Sequence, residues 1–153
     1  MKGSYLLGSG HWKEVKKLRE RACGHICEHC RERSSGLIGH HVVPREAIRR
    51  FAALADSLLG DGASRGFKDI LVTFDTCRVR CRYCEKNLHR YHPCHGNEED
   101  DYKVMIAHLE EAFGVLLRLL DERSRESLAP EVFFARIVPL PSAIAGLEKT
   151  AGD

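Results

Sequence analysis

The 153-residue chain lacks the features that mark several large protein classes. No apolar run approaches the ~18 residues of a membrane span. The opening "MKGSYLLGSG" has too short an apolar patch for a secretory leader, so a reducing, cytoplasmic setting is expected. There is no internal repeat and no low-complexity tract, and apolar content is ordinary, which argues against a disordered chain. What the chain has instead is cysteine and histidine, seven and nine of them. In a reducing compartment that cysteine count points to metal more than to disulfides.

Net charge is only +2, but it is unevenly placed. Through Asn97 there are 18 Lys/Arg against 10 Asp/Glu, and from Glu98 onward 6 against 12. The expected division is therefore 1–97, a basic unit, and 98–153, an acidic helical extension. A basic half suits a polyanion such as nucleic acid; plain solvated charge is the competing reading.

Periodicity organises the chain. Trp12, Val15, Leu18 and Ala22 recur at helical steps in "HWKEVKKLRERA". "GLIGHHVV" reads as a strand, and Pro44 suits the first position of a new helix in "PREAIRRFAALADSLLG", which Gly60 stops. "DGASRG" reads as a loop and "DILVTFDTCRVRC" as β-rich. Arg78, Arg80 and Arg82 alternate along its end, so three guanidiniums are expected on one surface. "YCEKNLHRYH" returns to helix. Asn97 is expected to cap the longest helix, whose stripe runs from Tyr102 through Leu120.

Two CxxC knuckles, Cys27/Cys30 and Cys81/Cys84, carry the strongest signal. Each lets two thiolates turn toward one point, and two knuckles complete a tetrahedral structural zinc site. Cys77, four before Cys81, offers an alternative third ligand; Cys23, Cys77 and Cys94 otherwise default to small buried residues. His11, His25, His29 and His108 read as surface or satisfied core histidines. His40, His41, His89, His92 and His95 flank the knuckles. Glu85 and His89 are four apart in a helical stretch and share a face, so with His40 they could hold a second ion. Adjacent strand residues point to opposite sides, which splits His40 toward metal and leaves His41 to take a proton from water.

These pieces, "HWKEVKKLRERACGHICEHC", "GHHVVPRE" and "TCRVRCRYCEKNLH", resemble the HNH endonucleases with their ββα-metal fold. The resemblance covers about Trp12 to His92. It implies an α+β fold: a ββα-metal core stapled by the four-cysteine zinc site, with an inserted helix and C-terminal helices. It implies hydrolysis of DNA phosphodiester bonds, with His41 as general base and His40, Glu85 and His89 holding a catalytic divalent ion such as Mg²⁺, Mn²⁺, Ni²⁺ or Zn²⁺. Two positions depart from the family pattern. Thr76 stands where an Asn normally steadies the general-base loop, and Glu85 stands where a His is usual, which leans the site toward Mg²⁺ or Mn²⁺. DNA, expected double-stranded, would be held by Lys13, Lys16, Lys17, Arg19, Arg78, Arg80 and Arg82.

The alternative is a catalytically weakened zinc module that binds nucleic acid or a protein partner, or self-associates, through the acidic C-terminal helix. A third reading takes His40, Glu85 and His89 as a two-His-one-carboxylate iron site.

Overall fold

The structure is a computed structural model that describes residues 9–91 and 99–138; the side chains of residues 9, 88–91 and 99 fall outside that description. Asn97, His92, Cys94 and His95, singled out above, lie outside the described residues. The described architecture is mixed helix with one small two-stranded sheet, of the α+β kind.

Helix α1 (Ser9–Ala22) comes first, with Arg19 and Arg21 in its last turn, where cations complement the helix dipole. Strand β1 (Ile38–His41) pairs antiparallel with β2 (Cys77–Arg80), with His41 opposite Cys77 and Ile38 opposite Arg80. Everything between them is inserted. Helix α2 (Arg45–Leu59) buries Ile48, Phe51, Ala52 and Ala55 at the helical period the sequence showed. Pro44 sits one position earlier than expected, as the N-cap with extended backbone (ψ 149°). Gly60 ends the helix at φ +109°, a conformation that only glycine adopts without strain.

Two local expectations are corrected. "DGASRG" runs into a 3₁₀ turn, Ala63–Phe67, fastened by a hydrogen bond from the Ser64 amide to the buried Asp56 carboxylate (2.9 Å). The β-rich reading of "DILVTFDTCRVRC" holds only for Cys77–Arg80, because Lys68–Leu71 forms the short helix α3. Phe67 and Leu71, four apart and both buried, turn toward α2 and its neighbours. No neighbouring strand among the described residues offers that piece a ladder, so local helical bonds win.

Helix α4 (Arg82–Tyr91) follows β2 directly. Beyond it come α5 (Glu99–Leu119), α6 (Glu122–Glu126, capped by Asp121) and α7 (Pro130–Ile137, with proline in its first turn). The main core joins α2 and α3 to α5 and α7. Its centre is aromatic: Phe51 meets Phe67 and Phe133 edge-on, and Phe113 stacks on Phe133 at 4.3 Å. Each such side chain contributes about 1.5–3 kcal/mol of burial. The inserted helix and the acidic C-terminal helices thus share one apolar interior. A second, small cluster gathers Cys27, Leu37, Val79 and Cys84 around the knuckles. Among the described residues no helix is long and apolar enough to cross a membrane.

Candidate metal centre

The first knuckle is built by a tight reversal between Ile26 and Arg33. The Cys27 amide donates to Glu32 O and the Arg31 amide to Cys27 O, while Arg31 takes a left-handed φ of +64° to turn the chain back. The second knuckle straddles a helix start. Cys81 precedes α4, its carbonyl accepts the Glu85 amide, and its Sγ lies 3.5 Å from the Cys84 amide. A thiolate there faces the positive end of the helix dipole.

The four Sγ atoms of Cys27, Cys30, Cys81 and Cys84 lie within 4.8 Å of one another, and Cys30 and Cys81 are 4.0 Å apart. Tetrahedral zinc with bonds of ~2.3 Å separates its sulfurs by about 3.8 Å. The cluster is therefore close to the coordinating shape and far from disulfide distance, and these cysteines could bind a metal ion such as zinc. The electrostatics agree. Burial pushes the Cys27 thiol up, but backbone amides of Cys30, Cys81 and His29 outweigh it and hold Cys27 at about 6. Burial, then hydrogen bonds with Cys81, Cys30 and Cys27 and the charge of Cys27, push Cys84 well up, and a bound cation would favour its thiolate instead. Cys77 is not part of the cluster: it is buried opposite His41, and burial raises it to about 12. Cys23 is half-buried beside the small cluster.

Sequence reasoning gave Glu28, between the first two cysteines, no role. It is the joint between three elements. Its carboxylate accepts from Arg19 Nη2 at 2.6 Å and Nε at 3.1 Å, and from the Val79 amide at 2.7 Å; its own amide donates to Val79 O at 2.9 Å. Burial would raise the Glu28 carboxyl, but Arg19 and the Val79 amide hold it below its ordinary value. The knuckle is thereby tied to α1 and to β2. Arg19 also donates to Phe74 O and lies 4.7 Å over the Phe74 ring. It is a structural clamp, which corrects its expected role as a phosphate contact.

The paired histidines separate to the two faces of the sheet, as strand alternation requires. His40 is buried and its Nδ1 lies 3.0 Å from Glu85 Oε1. His41 faces α1, where Trp12 stacks on its ring at 3.7 Å. That stack needs Gly39: a Cβ there would come within 2.7 Å of the Trp12 ring and 3.2 Å of the Lys16 stem. Burial, then the charges of Arg45 and His40, lower His41 to about 3, so it is neutral at pH 7.

Thr76 acts differently from the expectation that its side chain steadies the base. Its hydroxyl accepts from the Thr73 amide (2.8 Å) and donates within its own turn to Leu71 O (3.1 Å). Only its carbonyl reaches the strand, accepting the Val42 amide at 2.8 Å. It fixes the residue after His41, not the imidazole.

The expected row of three guanidiniums on one surface is also corrected. Arg78 and Arg80 do share a face, but α5 covers it. Both bind Asp101, Arg78 Nε at 3.0 Å and Arg80 Nη2 at 2.8 Å, and Arg80 Nη1 lies 3.7 Å from Glu85 Oε2. Arg80 and Asp101 are each 2% exposed. Only Arg82 of the three is exposed. The backbone of His89 lies one turn beyond Glu85 in α4, but its side chain falls outside the described residues. His11 and His108 are satisfied, bonding Val72 O (2.7 Å) and Ile70 O (3.0 Å).

No family model, no curated protein and no solved structure matches this chain.

Proposed function

We propose that the chain is a metal-dependent endonuclease of the HNH kind, hydrolysing DNA phosphodiester bonds on a zinc-stapled ββα-metal core. The observation that supports it best is the division of the histidine pair. His40 meets Glu85 at 3.0 Å, one residue past the second knuckle, while neutral His41 stands on the opposite face. In this reading His40, Glu85 and His89 hold the catalytic ion, which when bound supplies positive charge at the scissile phosphate. His41, uncharged at pH 7, can accept the proton of the attacking water, and Trp12 holds its ring plane. The zinc site sets the register of α4 on the sheet, and so the meeting of Glu85 with His40.

Two observations favour the second reading, a zinc module that binds nucleic acid without cutting it. Arg80 approaches Glu85 to 3.7 Å, and a guanidinium there competes with a metal ion for the carboxylate. A His41 whose proton affinity is depressed to about 3 is also a weak base until a substrate's negative charge raises it.

Nicking of supercoiled plasmid separates the two. The zinc-loaded wild type is assayed with Mg²⁺, Mn²⁺ or Ni²⁺ beside His41→Ala. The nuclease reading expects cleavage that the variant loses by roughly 10²–10⁴-fold, the size of a general-base contribution. Binding without cleavage in every metal would leave the binding module.

A further inference from the structure

The guanidinium that competes for Glu85 is itself held from another side. Arg80 stands at the end of β2 between two carboxylates. Its Nη2 donates to Asp101 Oδ2 at 2.8 Å, within hydrogen-bond range, whereas its Nη1 stays 3.7 Å from Glu85 Oε2. Asp101 comes from the first turn of α5, outside the strands and α4, where the helix dipole favours an acid. Arg78 Nε reaches its other oxygen, Oδ1, at 3.0 Å, so the Asp101 carboxylate is gripped on both sides. Arg80 and Asp101 are both buried, where an electrostatic bond is stronger than in water. Beyond Arg80, His40 Nδ1 and Glu85 Oε1 face each other at 3.0 Å, with 5% and 12% of their side chains exposed. Two neighbouring ligands of an octahedral cation at ~2.1 Å also stand about 3.0 Å apart, so this nitrogen–oxygen pair fits a divalent ion.

We propose that Asp101 is a positioning residue for this cation site: it draws Arg80 toward α5 and so leaves the Glu85 carboxylate to a divalent ion. That role rests on the reading above, in which His40, Glu85 and His89 hold such an ion. A buried guanidinium beside a single carboxylate would close on it, because a buried charge needs a partner. Two carboxylates flank Arg80, and the shorter bond goes to Asp101. An ion at Glu85 then meets a guanidinium whose charge is already answered. The acidic helical extension thereby reaches the site through one side chain.

The test is Mn²⁺ binding to the full zinc-loaded chain, read from the electron paramagnetic resonance signal of free Mn²⁺. Glu85→Gln should abolish the binding and so identifies the site. Asp101→Asn should weaken it about 10–100-fold, the range for losing a group that orients a metal ligand. Arg78→Gln loosens the same carboxylate but leaves the Arg80–Asp101 bond, so it should not weaken binding. Asp100→Asn removes the same charge from the exposed neighbour and should cost less than about 5-fold. Arg80→Met/Asp101→Asn, which removes the competing guanidinium as well, should restore the wild-type affinity. Equal losses from Asp101→Asn and Arg78→Gln, the mark of a merely structural role, would overturn the positioning role, as would no rescue by the double variant. Mn²⁺ bound equally by wild type and Asp101→Asn also overturns it, and spares the metal reading. Binding that survives Glu85→Gln, or none by wild type, overturns both.

Discussion

Glu28→Gln isolates the joint between the knuckle, α1 and β2. The carboxylate receives two bonds from one guanidinium and one from a backbone amide, and both its side chain and that of Arg19 are mostly shielded, at 13% and 16% exposure. Charge-assisted bonds are each worth about 1.5–3 kcal/mol, and removing one partner of a shielded pair costs about 3–5 kcal/mol. Glutamine keeps the shape and one acceptor oxygen, so a loss of about 2–4 kcal/mol is expected, against a typical total of about 5–15 kcal/mol. Glu46→Gln removes the same charge from an exposed i,i+4 pair with Arg50 and should cost under about 0.5 kcal/mol. Urea unfolding of the zinc-loaded protein, followed by Trp12 fluorescence, compares them, since Trp12 is the single tryptophan and reports the α1–sheet contact. The sign with pH is fixed. The folded carboxyl titrates below its unfolded value, so its stabilisation is full above the unfolded pKa and vanishes as pH falls through the folded one. The gap between wild type and Glu28→Gln must therefore close toward acid. A Glu28→Gln loss no larger than that of Glu46→Gln would refute the joint.

Three further outcomes are expected. Gly39→Ala should cost about 1–3 kcal/mol and shift Trp12 emission, because its Cβ meets the indole at 2.7 Å; Gly36→Ala, with open space, should be near neutral by the same unfolding curves. Asp101→Asn should lower the melting temperature, losing about 1.5–3 kcal/mol by weakening the charge-assisted bonds from Arg78 and Arg80, with Asp100→Asn on the exposed neighbour as the silent control in calorimetry. Purified protein should carry one zinc per chain by elemental analysis; Cys81→Ser should lower that stoichiometry, and a chelator should release α1 from the sheet, read as loss of the Trp12 signal. Full zinc retention by Cys27→Ser/Cys81→Ser would count against the four-thiolate site.

Much of the molecule is legible where the signal is local. The helices α1, α2 and α5 follow from periodicity, although Leu18 and Ala22 of the expected α1 stripe and Tyr102 of the α5 stripe are exposed; the convergence of four cysteines follows from the two spacers. The opposite orientation of His40 and His41 needs only strand alternation. What escapes the sequence depends on partners far along the chain. Arg78 and Arg80 look like an open basic row until Asp101, more than twenty residues away, is seen to fill the space between them. Glu28 is one acid among many until the fold brings Arg19 and the Val79 amide to it. "DILV" misleads because a short apolar run fits strand and helix equally well; α3 is decided by Phe67 and Leu71 reaching the main core.

The insertion between the two strands bears on how the chain folds. Between His41 and Cys77 lie 35 residues, so the two strands are not a local hairpin. Closing that loop costs about 2.5 kcal/mol more entropy than closing a two-residue turn. Four residue pairs of ladder cannot meet that cost early. The order this predicts is that α2, the 3₁₀ turn and α3 condense first, bringing the strand ends within reach, and the sheet zips afterward. At its far end, Cys81 follows Arg80 immediately, so closing the sheet also carries the second knuckle to the first. A lesion in the aromatic core, distant from every cysteine, would therefore slow the chain's acquisition of zinc.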